Sequence, residues 1–291
     1  MSNSVPPRSL PPAPSFLSSS FRIFDLSVSE MLWSRRTIFM ALVVGAPVLI
    51  ALLLRLLVGL GAPLFEDQET RGGVTTTVRM SGPAIFGLMI WIFYLRFTVP
   101  VLGVFYGTSL IADEIEDKTI TYLFTRPIPR GAVLVGKYLA YLACTIFVVL
   151  PSVMLVYLLI VPMRGTLGGS FLDLVKDLIL LAIGLAVYGA LFAFVGARFK
   201  RPLVIGLIFI FGWEQAALAF PGYLKKFTIA YYLQGLVPHT MPSDSMLSLV
   251  QGIFRESPTL AGSLLGLAFV LALFLSWGAW VVGSREYVLE Q

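Results

Sequence analysis

Cysteine and histidine are almost missing from this chain, with one of each, Cys144 and His239, in 291 residues. No disulfide framework can form within one chain, and no metal site of the Cys/His kind can be assembled. Nucleophilic catalysis by a Ser/His or Cys/His pair would have to draw on that lone histidine and on a cysteine inside an apolar run, so no catalytic residues are assigned. Charge is scarce as well. Charged residues make up 13% of the chain against 57% hydrophobic, and the mean hydropathy is +0.88, far above what a soluble domain needs. The net charge of +5 does not make a nucleic-acid surface, because the basic residues stand at the ends of apolar runs and form no cluster interleaved with aromatics. Nucleic acid is therefore excluded as a partner, and the lipid bilayer is implied.

What the chain does have is uninterrupted apolar runs of about 20 residues, the signature of helical membrane spans and not the ~10-residue alternation of an outer-membrane barrel. The predicted fold is an all-α integral membrane protein with six transmembrane helices, at about 37–60, 84–112, 133–161, 174–197, 203–220 and 259–283. Residues 1–20, rich in Ser and Pro, read as a disordered tail, and 21–291 as a single transmembrane domain. The tail is no secretory signal, because the first long apolar run begins only after Arg35-Arg36. Between Ser20 and Arg36, the residues Phe21, Phe24, Val28, Met31 and Leu32 recur at helical spacing, which predicts an amphipathic helix in the membrane interface. The segment from Gly61 to Gly82 is polar. Residues 221–258 are neither polar enough for a free loop nor apolar enough for a span; Met246 to Phe254, after Ser243-Asp244, read as a short external or re-entrant helix. Ser257-Pro258 reads as the cap and first-turn proline of the sixth span.

Orientation follows from lysine and arginine. Arg22, Arg35, Arg36, Lys118, Arg126, Arg130, Lys137, Arg198, Lys200, Arg201 and Arg285 crowd the span ends on one side, so both termini and the Asp113–Lys137 loop are assigned to the cytoplasm. Two charges, Arg96 and Glu214, fall well inside apolar runs. A charge at that depth is costly and faces a partner or a cavity. The expectation is that both face the bundle interior in its outer half, as a pair or along a path, with separate snorkelling as the alternative. Arg55 lies close enough to the outer end of its span to snorkel. Glu214 is the only firm intramembrane carboxylate in this reading, which leaves no pair for an intramembrane aspartyl enzyme.

Gly131-Ala-Val-Leu-Val-Gly136-Lys137 matches most of a phosphate-binding loop. Tyr138 stands where the magnesium-holding hydroxyl belongs, and the segment opens a membrane helix with no strand before it. It is read as a glycine-lightened helix start with a snorkelling lysine.

The loop between the second and third spans carries the most specific pattern. Ile111-Ala-Asp113-Glu114-Ile-Glu116-Asp117-Lys118-Thr119, then Leu123, Arg126-Pro127-Ile128-Pro129-Arg130 and Gly136-Lys137 resemble the cytoplasmic loop of type-2 ABC exporter permeases. Trp213-Glu214, followed by Pro221-Gly222, resembles a subgroup of them. Lys118 departs from the family, which has glycine there. The resemblance implies that 21–291 is a permease domain of the cell membrane. It also implies a short coupling helix between spans 2 and 3 docking on a separate ABC ATPase subunit, and a second permease copy forming a homodimer. No cofactor is expected on this chain, since ATP would be bound and hydrolysed by the partner. Read physically, the acids Asp113, Glu114, Glu116 and Asp117 favour a helix N-terminus, Arg126-Pro127 ends the helix, and Arg130 and Lys137 return to lipid headgroups. The rival reading is a membrane scaffold or assembly factor that only anchors partners.

Overall fold

The computed structural model describes residues 16–32, 35–62, 66–71, 74–116, 130–163, 166–219, 223–238 and 258–284. The predicted helix at 246–254 and most of the coupling loop, including Asp117, Lys118, Thr119, Leu123, Arg126 and Pro127, lie outside the described residues.

Helix α1 (Phe16–Leu32) opens the described chain, starting inside the stretch expected to be tail. The reason is packing. Ser19, Ser20, Ile23 and Ser27 form a buried stripe, while Phe16, Leu17, Phe21 and Leu26 are exposed. α2 (Arg35–Gly59) follows. The polar segment after it is not featureless: β1 (Glu66–Arg71) and β2 (Val74–Arg79) pair as an antiparallel hairpin, with Glu66 opposite Arg79 and Arg71 opposite Val74.

α3 (Gly82–Glu116) is the second span. Ser81 caps its start, accepting a hydrogen bond from the Ala84 amide. Two stretches inside it, Ile90–Thr98 and Gly103–Gly107, are wound as π-helix. α4 (Arg130–Met163) ends in a 3-10 turn, and α5 (Gly168–Arg198) starts with one. α6 covers 202–219 and is π-wound over Ile208–Glu214. A 3-10 turn at Tyr223–Phe227 leads to α7 (Ile229–Gln234), and α8 (Leu260–Ser284) closes the described chain. The cap of α8 is Thr259 and not Ser257: its hydroxyl accepts from the Gly262 amide, because the helix begins at Leu260.

Five of these helices, α2, α3, α4, α5 and α8, are long and apolar enough to cross a membrane. The expected fifth span corresponds to α6, whose apolar helical stretch Pro202–Ala217 is shorter. The chain is thus a multi-pass membrane protein, and among the described residues the hairpin is the one departure from helix and turn.

α3 and α5 are the most enclosed spans, whereas α2 and α8 keep most of their surface outward. Close approach of the central pair depends on small residues. A Cβ at Gly103 would meet the Tyr188 Cβ at 2.8 Å and one at Gly107 the Phe192 Cβ at 2.9 Å, so this glycine pair, four residues apart, seats two aromatic side chains of α5 on the α3 backbone. Tyrosine hydroxyls join the helices further. Tyr94 bonds Ser152 at 3.0 Å, while Tyr138 and Tyr141 donate to the Ala186 and Leu185 carbonyls at 2.8 and 3.1 Å.

Candidate functional site

Two clusters emerge from the residues singled out in the sequence, one at each end of the argument. The first is the base of the charged segment between the second and third spans. Asp113, Glu114 and Glu116 do not open a new helix as expected; they lie in the last turns of α3, which continues to Glu116. Acids at a helix C-terminus face the negative end of the macrodipole, so a cation must offset them. Lys137 does so. Its ammonium forms an ion pair with Glu114, both side chains being largely buried at 13% and 15% exposure, and it does not return to lipid headgroups as expected. Arg130, at the first position of α4, is exposed.

The ion pair ties the two ends of the 117–129 loop together, since α3 enters it and α4 leaves it. α1 is docked on the same spot. A Cβ at Gly136 would lie 2.6 Å from the Ser20 carbonyl oxygen and 2.9 Å from the Ile23 Cβ, so glycine is what lets α1 lie against α4. Ser20 also reaches the Ala132 carbonyl at 3.4 Å. The near-match to a phosphate loop therefore dissolves into packing: Gly136 seats α1, Gly131 faces the Ala279 backbone of α8, and Lys137 is engaged by Glu114.

The second cluster is built where the π-wound parts of α3 and α6 carry Arg96 and Glu214. Arg96 stands about 21 Å along α3 from Gly82, well inside that span, and Glu214 about 18 Å along α6 from Pro202, near the far end of its apolar stretch, at 1.5 Å per residue. No direct ion pair joins them. Arg96 donates from Nη1 to Gln215 Oε1 at 2.7 Å, and its guanidinium carbon lies 4.8 Å from the centroid of the Trp91 ring. Glu214, only 2% exposed, accepts from the Tyr188 hydroxyl at 2.5 Å and from the Ala230 amide at 3.0 Å. Glu214 nonetheless adjoins Gln215, the residue that holds Arg96.

Glu214 therefore anchors α7. Its carboxylate holds an amide at the start of that helix, and Thr228 caps the same end by accepting from the Tyr231 amide. α7 is wedged in the bundle, with Leu233 near Gly184 of α5 and Tyr232 near Gly266 of α8.

Sequence reasoning missed several members. Tyr188 and Gln215 carried no signal until their neighbours were known. Asp177 of α5 is fully buried, so Glu214 is not the only carboxylate inside the bundle. A signal existed: Leu174, Asp177, Leu181, Gly184 and Tyr188 fall on one buried helical stripe. Arg55 of α2 is exposed and has protein acceptors. It donates to the Leu158 and Leu159 carbonyls at 3.2 and 2.8 Å, near the C-terminal end of α4. Among the described residues no group of three or more His, Cys, Asp or Glu is arranged to hold a metal ion.

A family model described as ABC-2 family transporter protein matches residues 24–283, from within α1 to the penultimate residue of α8. No curated protein matches the chain.

Proposed function

The chain belongs to the ABC-2 family of transporter proteins, and from that premise we propose that it is the permease subunit of an ABC exporter, driven by ATP hydrolysis in a separate nucleotide-binding subunit. The observation that carries this reading is the Glu114–Lys137 pair at the base of the charged loop. The end of α3 and the start of α4, tied by this pair with α1 packed beside it, make a stiff handle. A force applied to it moves α3, α4 and α1 as a unit, and α3 carries that motion to the intramembrane cluster.

In this proposal the handle faces the cytoplasm together with both termini, and Asp113, Glu114, Glu116, Asp117, Lys118, Thr119, Leu123, Arg126, Pro127 and Arg130 form or flank the surface that meets the ATPase. Two permease copies pair, and two ATPase copies engage their loops. The chain itself needs no cofactor and performs no catalysis. The two residues Arg96 and Glu214 belong to the transport path in the membrane.

The test is recovery of an ATPase that co-purifies with the full-length chain in native membranes and whose turnover rises when the permease is present. Charge reversal at Asp117 should lower that stimulation while membrane insertion stays intact. Co-purification with turnover indifferent to the permease would sink the exporter reading and leave a scaffold that anchors its partner.

A further inference from the structure

Arg96 is held in one orientation by two contacts, the Gln215 amide oxygen on Nη1 and the Trp91 ring beneath the guanidinium plane. Its other two nitrogens, Nε and Nη2, are shielded from solvent and make no hydrogen bond. Those two N–H groups lie on one edge of the planar guanidinium. They point in parallel, at the spacing that carboxylate and phosphate oxygens accept two at a time. A guanidinium edge buried without an acceptor is destabilising, so its retention at membrane depth calls for an occupant.

Glu214 is the obvious acceptor and does not serve. Its carboxylate is turned to the Tyr188 hydroxyl and the Ala230 amide, and its position is fixed by the helix it anchors. Ile92, one turn before Arg96, and Phe97, next to it, are exposed at 39% and 43%, as is Trp213, next to Glu214, at 43%. Both charged residues sit on π-wound backbone, a deviation that recurs at functional sites.

We propose that the Nε/Nη2 edge of Arg96 receives the oxyanion head, carboxylate or phosphate, of an amphiphilic substrate whose apolar tail lies along the exposed Ile92, Phe97 and Trp213 side chains. The inference rests on the exporter reading and supplies the substrate class for its intramembrane site. A carboxylate at Glu214, one residue before the Gln215 that holds Arg96, opposes the incoming anion. That opposition keeps binding weak enough for release, which transport requires as much as capture.

Binding is measured on the full-length permease in nanodiscs of zwitterionic lipid, with no ATPase present, by tryptophan emission against dodecanoate, dodecyl phosphate, dodecanol and inorganic phosphate, empty discs subtracted. Dodecanoate or dodecyl phosphate should bind saturably. Arg96→Gln should weaken this by at least about tenfold, the loss of charge-assisted hydrogen bonds. Glu214→Gln, isosteric and still able to accept from Tyr188 and Ala230, should tighten it severalfold, and this arm stands even if the arginine variant fails to fold. Dodecanol binding as tightly as dodecanoate, an isotherm unchanged in Arg96→Gln, or an affinity unchanged in Glu214→Gln would each overturn the proposal. Inorganic phosphate binding as tightly as dodecyl phosphate would overturn the amphiphile and leave a small-anion site. Because no ATPase is present, a negative result here leaves the exporter reading standing, and a permease that fails to stimulate its ATPase leaves the binding result standing.

Discussion

Exchanging the charges of Glu114 and Lys137 separates what their pair does for the fold from what Glu114 does for a partner. The perturbation is the set Glu114→Lys, Lys137→Glu and the double exchange. Unit charges in contact at about 4 Å attract by about 4 kcal/mol at an effective dielectric constant of about 20, but part of that is returned as desolvation. Exposed pairs net about 0–1 kcal/mol, and breaking a fully buried pair costs about 3–5 kcal/mol. With side chains 13% and 15% exposed, this pair lies between those limits, and each single reversal should destabilise by about 2–3 kcal/mol.

The double exchange should recover most of the loss. It restores opposite charges, and a lysine at 114, in the last turns of α3, gains about 0.3–1 kcal/mol from the helix dipole that the native glutamate opposes. Thermal unfolding of the four proteins in detergent gives the cycle, and losses that simply add would refute a direct pair. The same proteins, reconstituted with the ATPase, give the second reading. If Glu114 also touches the ATPase, the exchanged protein is stable but poorly coupled. Recovery of both properties together would remove Glu114 from the docking surface and leave Asp117, Lys118 and Thr119 to carry it.

Gly136→Ala should lower stability by about 1–3 kcal/mol and open α1 to proteolysis, because its Cβ would meet the Ser20 carbonyl oxygen at 2.6 Å; an unshifted unfolding midpoint and digest would count against the packing argument. Nucleotide binding by the purified permease should be at background in the native chain and in Lys137→Ala alike, and specific ATP binding lost with the lysine would restore the phosphate-loop reading. Arg55→Met should destabilise by about 1–2 kcal/mol by freeing the Leu158 and Leu159 carbonyls, with Arg55→Lys intermediate; equal stability of all three would return Arg55 to the lipid headgroups. The exchange Arg96→Glu with Glu214→Arg should rescue neither single variant in an unfolding cycle, since each charge has partners of its own; substantial rescue would show the two in direct contact.

Five of the six expected spans were legible because a bilayer imposes one length and one composition on any helix that crosses it, and observed bounds such as Arg130–Met163 against 133–161 differ by only a few residues at the ends. What escaped depended on partners remote in sequence. The acids at 113–116 look like a helix start when read locally, and only Lys137, 23 residues from Glu114, explains why they can end a helix instead. The hairpin was missed although Gly72-Gly73, flanked by Thr70 and Val74 to Val78, is a two-residue turn signal between β-branched residues. Its strands carry so many charges and hydroxyls that no alternating apolar face announces them. Gly136 was noticed for a nucleotide motif it does not serve, because a glycine's reason for being small lies on the helix it faces.

The intramembrane charges divide along the same line. Sequence alone says that a charge at depth needs an acceptor or donor, and for Arg55 and Glu214 the backbone supplies it. Arg55 places its cation on carbonyls near the C-terminal end of α4, and Glu214 places its anion on an amide at the N-terminal end of α7. In each, the sign of the side chain opposes the sign of the helix end, so charge and orphan backbone group are stabilised together. Neither is then available for a substrate without loosening a helix. Arg96 is the exception. It meets a side-chain amide and an aromatic face, contacts that orient a guanidinium without neutralising it, and its two-donor edge remains uncommitted. Of Arg55, Arg96 and Glu214, Arg96 alone can give up or gain a ligand without freeing a helix end.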